Sequence, residues 1–200
     1  MKMAIFTSII CAGSTTAMAS IAEFKCENNQ PVLKFSATTG LDAGKPGLFW
    51  VGVHTPDQKY GYFFNAQGTW DQYTGGLYIP HKRFDSGLPP IIQMRIPIPS
   101  QMGADSSDAY VGWEIYAGHG VLTKEDEAAI KSRRIAISEA RKSGQNLADS
   151  EYDSDERFAW GLVQKNMVDN KKYYRVIVVP QNICPQSPSR TTSTSRGEKP

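Results

Sequence analysis

The chain of 200 residues carries 22 Lys and Arg against 20 Asp and Glu, for a formal net charge of +2, and 40% of it is hydrophobic. That length can bury one sizeable core and is marginal for two. The balanced charge offers no broad basic face, so nucleic acid is not an expected partner.

The chain opens MKMAIFTSIICAGSTTAMAS, with Lys2 ahead of a short apolar stretch and Ala17-Met18-Ala19 as a small-x-small cleavage signal. Residues 1–19 are therefore expected to be a secretory signal peptide cleaved after Ala19, the apolar part being too short to span a membrane. No later segment nears the roughly 18 unbroken apolar residues of a spanning helix. The expected location is secreted or periplasmic. In such an oxidising compartment Cys26 and Cys184, the two cysteines left after cleavage, are expected to form one disulfide. Closing so long a loop is worth roughly 5 kcal/mol as an upper figure. The chain has no CxxC, so redox catalysis has no support.

From Val32 to Tyr116 short β-rich runs follow one another: PVLKFSAT, GLFWVGVH, YGYFFNA, GGLYIPH, PIIQMRIPIP and AYVGWEIY, each bounded by turn residues. That spacing predicts an all-β sandwich or barrel. Pro97 and Pro99 place the end of the fifth of these runs at a sheet edge, because proline cannot donate to a ladder. Thr123 then reads as an N-cap with an acid three residues on, at Asp126, resembling a capping box. Acids open this helix and Arg141 and Lys142 close it, as the helix dipole favours, with Ala129, Ile130, Ile137 and Ala140 on one face and a stop at Gly144. A second helix is expected from about Asp155 to Asn170, its apolar positions being Phe158, Leu162, Val163 and Met167. KKYYRVIVVPQ reads as a last strand, whose VIVV run predicts an interior position in its sheet. The tail from Pro185 is polar and without an apolar anchor, so residues 185–200 are expected to be disordered.

The expected architecture is mainly β, of α+β class: one antiparallel sandwich domain over residues 20–184, with a two-helix insertion at about 123–170 before the last strand. The layout resembles the broad class of secreted bacterial immunoglobulin-like sandwiches. The Cys…Trp…Cys order of antibody domains is formally present, but its spacing covers nearly the whole chain and argues against that disulfide topology.

Few residues point to chemistry. Gly118-His119-Gly120 could present a general base, but a sharp turn from sheet into helix accounts for the glycines more simply. The histidines His54, His81 and His119 are too dispersed for a local metal motif, even with Asp57 and Asp85 close to two of them, and no cofactor is expected. A GxSxG elbow is absent. Glu114 lies within an apolar strand, and strict alternation puts it with Gly112 and Tyr116 on the face opposite Val111, Trp113 and Ile115. That is the place of a solvated carboxylate.

Residues 60–81, YGYFFNAQGTWDQYTGGLYIPH, concentrate aromatic side chains around glycine-containing turns. Trp70 and Tyr73, with Tyr78 nearby, fall where a surface connection is expected and are the candidate ligand-binding residues. The competing role for Trp70 is to fold back and plug the end of the sandwich. The functional expectation is an exported, non-catalytic binding or accessory module of the cell envelope or surface. It would recognise a protein or glycan through this aromatic loop. The alternative is a small secreted hydrolase or lyase that pairs His119 with a carboxylate such as Glu114.

Overall fold

The computed structural model describes residues 22–98, 111–145 and 154–184. The expected signal peptide and the expected disordered tail lie outside these residues.

Two antiparallel sheets make up the β portion. The first has the order β1-β2-β7, from Glu23–Glu27, Gln30–Thr38 and Ile91–Pro97. In the second the order is β5-β4-β3-β8-β9, from Trp70–Gln72, Gly61–Phe64, Gly47–His54, Glu114–Val121 and Tyr173–Val178. The short β6, Lys82–Phe84, pairs with the start of β3 and makes this sheet six-stranded. Helices α1, Lys124–Lys142, and α2, Asp155–Asp169, are inserted between β8 and β9.

The alternation of each strand sets the core. Leu33, Phe35 and Ala37 from β2, with Ile92, Met94 and Ile96 from β7, meet Phe49, Val51 and Val53 from β3 and Ile115, Ala117 and Val121 from β8. Every one of these side chains is nearly removed from water, and burying each one larger than alanine stabilises the fold by about 1.5–3 kcal/mol. Asn28 and Asn29, both at positive φ, close β1 onto β2 in a two-residue turn, a conformation asparagine tolerates better than most residues.

Several expectations need correction. β1 was not anticipated, because EFKCE is charged and lacks an apolar face. The run GGLYIPH is not a strand; its turn-rich backbone instead leads into β6. β8 does not end at Tyr116. It runs through Gly118-His119-Gly120 to Val121, paired residue for residue with β3, so this tripeptide is strand and not turn. β9 is an edge strand, not an interior one. Ile115 pairs with Ile177 and Tyr116 with Arg175, so Val176 is an extra residue in a bulge. Val176 and Ile177 consequently both pack on the core, and the unbroken apolar run reflects the bulge.

The helices begin as their caps dictate. Asp126 N–H donates to Thr123 Oγ1 at 3.1 Å and Thr123 N–H to Asp126 Oδ2 at 2.9 Å, a complete capping box. Ser154 caps α2 with its hydroxyl oxygen alone, which accepts from Arg157 N–H at 3.0 Å. α2 buries Val163 and Met167 against Leu48 and Trp50 on the outer face of the six-stranded sheet. α1 has no buried residue; Ile130, Ile137 and Ala140 are half-buried, while the expected fourth member, Ala129, is exposed. It is tied to α2 by Arg133 and Arg134, which both bond Asp155. Cys26 and Cys184 are joined with Cα atoms 5.1 Å apart, fastening β1 to the segment after β9.

Candidate functional site

The glycines of β8 have a packing role. Gly118 and Gly120 face outward beneath α2, and neither has positive φ. A Cβ on Gly118 would lie 2.7 Å from Met167 Sδ and 2.8 Å from Tyr173 Cβ, and one on Gly120 would lie 3.0 Å from the Val163 carbonyl carbon. Their lack of side chains lets the helix backbone come down onto the strand.

α2 covers only part of this face. Beyond Met167 the outward positions of β3 and β8 are Gly52 and His54, then Tyr116 and Glu114, and here an open groove of about 430 Å³ lies over the sheet. Its floor is Trp50, Gly52 and Gly118, and Phe63, Tyr73 and Tyr78 form one wall. Those three rings brace one another. Phe63 stacks on Tyr78 at 5.0 Å between centroids, and Tyr73 meets both edge-on at 5.6 and 5.3 Å. Trp50 holds the wall in place by donating from Nε1 to the Tyr78 carbonyl at 3.0 Å. Gln164 of α2 fixes the same residue by accepting from Tyr78 N–H. Partial burial of Tyr78 raises its phenol pKa.

Opposite this wall, Tyr116 donates from its hydroxyl to Glu114 Oε2 at 2.7 Å, and Arg175 Nη1 donates to Glu114 Oε1 at 2.7 Å. The bond from Tyr116, followed by that from Arg175, holds the Glu114 carboxyl below its ordinary range. The same bond pushes the Tyr116 phenol up. His54 meets the Tyr116 ring edge-on at 5.7 Å. The groove therefore presents aromatic side chains, a floor lowered by Gly52 and an acid already matched by a guanidinium.

Of the candidate ligand-binding residues, Tyr73 and Tyr78 come together in this groove and Trp70 does not. Trp70 begins β5 on the inner side, packs against Phe64 at 5.2 Å between ring centroids, and directs Nε1 toward the Pro97 carbonyl at 3.5 Å. It bridges the margins of the two sheets. Trp50, Gly52, His54, Phe63 and Tyr116 were not identified from sequence as groove residues. The available signal was that Trp50, Gly52 and His54 alternate on one face of a strand otherwise rich in apolar residues.

His119 and Glu114 do not converge. They lie an odd number of residues apart on a strand whose pairing with β3 is uninterrupted, so they face opposite sides. His119 instead points to Asp42, with Nε2 3.3 Å from Oδ2. Burial lowers the His119 pKa and so favours the neutral ring; nearby Asp42 opposes this in part. Asp42 also accepts from Lys172 Nζ at 2.6 Å and Lys45 Nζ at 2.9 Å. Burial works to raise its pKa, but the two ammonium groups prevail and leave the carboxyl below its ordinary value. This cluster ties the 3-10 turn Gly40–Asp42 to the junction of α2 and β9. Among the described residues no group of three or more His, Cys, Asp or Glu is placed to hold a metal ion. No described helix is long and apolar enough to cross a membrane.

Compared with protein-family models, curated proteins and solved structures, the chain gives no significant match in any of the three.

Proposed function

We propose that this protein is an exported, non-catalytic binding or accessory module of the cell envelope or surface, and that it engages a protein or glycan partner through the groove lined by Phe63, Tyr73, Tyr78 and Tyr116. The observation that carries this is the aromatic face itself, left uncovered among the described residues. Rings braced by one another over a glycine floor lose little freedom when a ligand arrives, and concave aromatic sites with a few polar groups are the usual form of binding pockets. Export rests on the signal-like residues 1–19 and accords with the Cys26–Cys184 disulfide.

The immunoglobulin-like assignment is part of this proposal. It is supported by β2 lying beside β7, β3 beside β8, β9 outside β8, and β4 and β5 outside β3. The helical excursion before β9 and a disulfide between chain ends are this protein's own additions to that plan.

Co-sedimentation of the purified, oxidised protein with cell-envelope fractions tests the function, with Tyr73→Ala and Tyr173→Ala alongside, Tyr173 at the start of β9 also lining the groove. Saturable binding, weakened in both variants at an unchanged thermal midpoint, is the expected result. Equal binding by the variants and the parent refutes the groove as the binding face. N-terminal sequencing of the exported protein is expected to begin at Ser20.

A further inference from the structure

We propose that the occupant of the groove is a neutral glycan built of hexose units, its hydroxyls bonded by the Glu114–Arg175 pair and its ring faces stacked on the wall of Phe63, Tyr73 and Tyr78. The inference rests on the binding function proposed above and narrows it to one ligand class.

The charge of the site excludes ions first. Glu114 is the carboxylate lining the groove, and Arg175 Nη1 stands 2.7 Å from its Oε1. A cation entering toward the acid meets the guanidinium, and an anion drawn to the guanidinium meets the acid. Cation recognition by the rings alone would lack the unmatched acid that commonly completes such a cage.

The pair also argues against a purely apolar occupant. The Glu114 side chain is 23% exposed and that of Arg175 56%, so both still contact water. A lipid tail or a cluster of aliphatic side chains would strip that water and return no hydrogen bonds, leaving polar groups undersatisfied. A polyhydroxylated ligand replaces the water with bonds of its own. Carboxylate and guanidinium side by side supply acceptors and donors at a spacing suited to neighbouring hydroxyls.

The rest of the groove has the matching shape. A sugar ring has an apolar C–H face and a polar rim, as the groove has rings along one wall and polar groups on the other. Gly52 keeps the floor at backbone level between these sides. A Cβ there would already touch Phe63 Cε1 at 3.2 Å and would raise the floor beneath a flat ligand. Gln58, at positive φ in the turn after β3, also borders the groove.

The experiment uses the exported, oxidised protein on an array of neutral hexaoses of glucose, galactose, mannose and N-acetylglucosamine, with sialylated and phosphorylated counterparts. The strongest neutral ligand is then taken to calorimetry. Saturable binding to at least one neutral hexaose is expected, without gain from added anionic groups. Tyr73→Ala should weaken it about tenfold, the loss of one stacking ring. Glu114→Gln keeps the shape and is expected to weaken it severalfold while leaving Arg175 free to favour anionic members. Preference of the parent protein for the anionic members overturns the proposal. Failure to bind any neutral hexaose also overturns it. If binding to envelope protein fractions then persists and depends on Tyr73, the broader function stands without the glycan. Failure of both kinds of binding removes both.

Discussion

Placing a methyl group at Gly120 tests whether β8 and α2 are built around the absence of a side chain. The added Cβ would sit 3.0 Å from the Val163 carbonyl carbon and 3.1 Å from Val163 Cγ1, and closer still to the Val163 carbonyl oxygen. Carbon contacts are comfortable at about 3.5–4.0 Å, so α2 must retreat by about 1 Å. The obstacle is helix backbone and cannot be relieved by a rotamer change. Overpacking of a fitted interface costs about 1–3 kcal/mol. Retreat additionally loosens Val163 and Met167 from Leu48 and Trp50. About 3 kcal/mol is therefore expected for Gly120→Ala, a fall in thermal midpoint of about 6–12 °C for a chain of this size. Gly118→Ala should cost less, because its Cβ meets the Met167 thioether, the far end of a flexible side chain, although Tyr173 Cβ is also close. Thermal and urea unfolding of the two variants provide the comparison. A Gly120→Ala protein within 0.5 kcal/mol of the parent, a change typical of neutral surface substitutions, would refute the close-packing argument.

Three further outcomes are expected. Reducing the disulfide, or replacing both cysteines with serine, should lower stability by up to about 5 kcal/mol, given a separation of 158 residues, and urea denaturation with and without reductant measures this. His119 is depressed in the folded state, so the unfolded chain takes up protons first. Its contribution is intact above the ordinary histidine value near 6.5 and is lost as pH falls through the lower folded value. The thermal midpoint should thus decline on acidification below about pH 6.5; His119→Gln should flatten that decline, and an unchanged slope would exclude His119 as its source. Thr123→Ala removes the acceptor of Asp126 N–H and should cost about 1 kcal/mol, read as lower helicity by circular dichroism and a lower urea midpoint.

What was legible in the sequence was local. Thr123 and Asp126 signal a helix start whatever lies around them, and α2 follows from apolar spacing over its own length. The strands of the sandwich core announce themselves by β-branched and aromatic runs. Features set by distant partners stayed hidden. Gly118 and Gly120 resemble a turn until Val163 and Met167 are known to lie above them. The VIVV run resembles an interior strand until the bulge at Val176 is seen opposite Ile115 and Tyr116. Trp70 reads as loop because its neighbours are polar, yet its ring reaches the margin of the other sheet. The groove was the least legible feature, since its lining is shared among β3, β4, β8 and the segments that carry Tyr73 and Tyr78, and its opening depends on where α2 stops.

The open groove needs an explanation beyond chance, and the protein's other sheet supplies the comparison. An antiparallel sheet with a solvated face alternates apolar-in and polar-out. The mid-strand outward positions of β2 and β7 follow this rule, Ile91 at the start of β7 being an exposed apolar exception: Lys34, Ser36, Gln93 and Arg95 face water, Lys34 and Arg95 both binding Glu27 and holding its pKa at about 2. The outer face of the six-stranded sheet departs from it. Where α2 lies, apolar Leu48 and Trp50 are accounted for by the helix. Past Met167 the helix ends, but the aromatic character continues through Phe63, Tyr73, Tyr78 and Tyr116, and the floor drops to glycine instead of rising to lysine or serine. Packing against the Leu48 and Trp50 cluster accounts for Phe63 and Tyr78, but not for Tyr73 and Tyr116 on the open side, and glycine inside a strand weakens the strand. Both features become intelligible together if the uncovered half of the sheet is matched to a partner as the covered half is matched to α2.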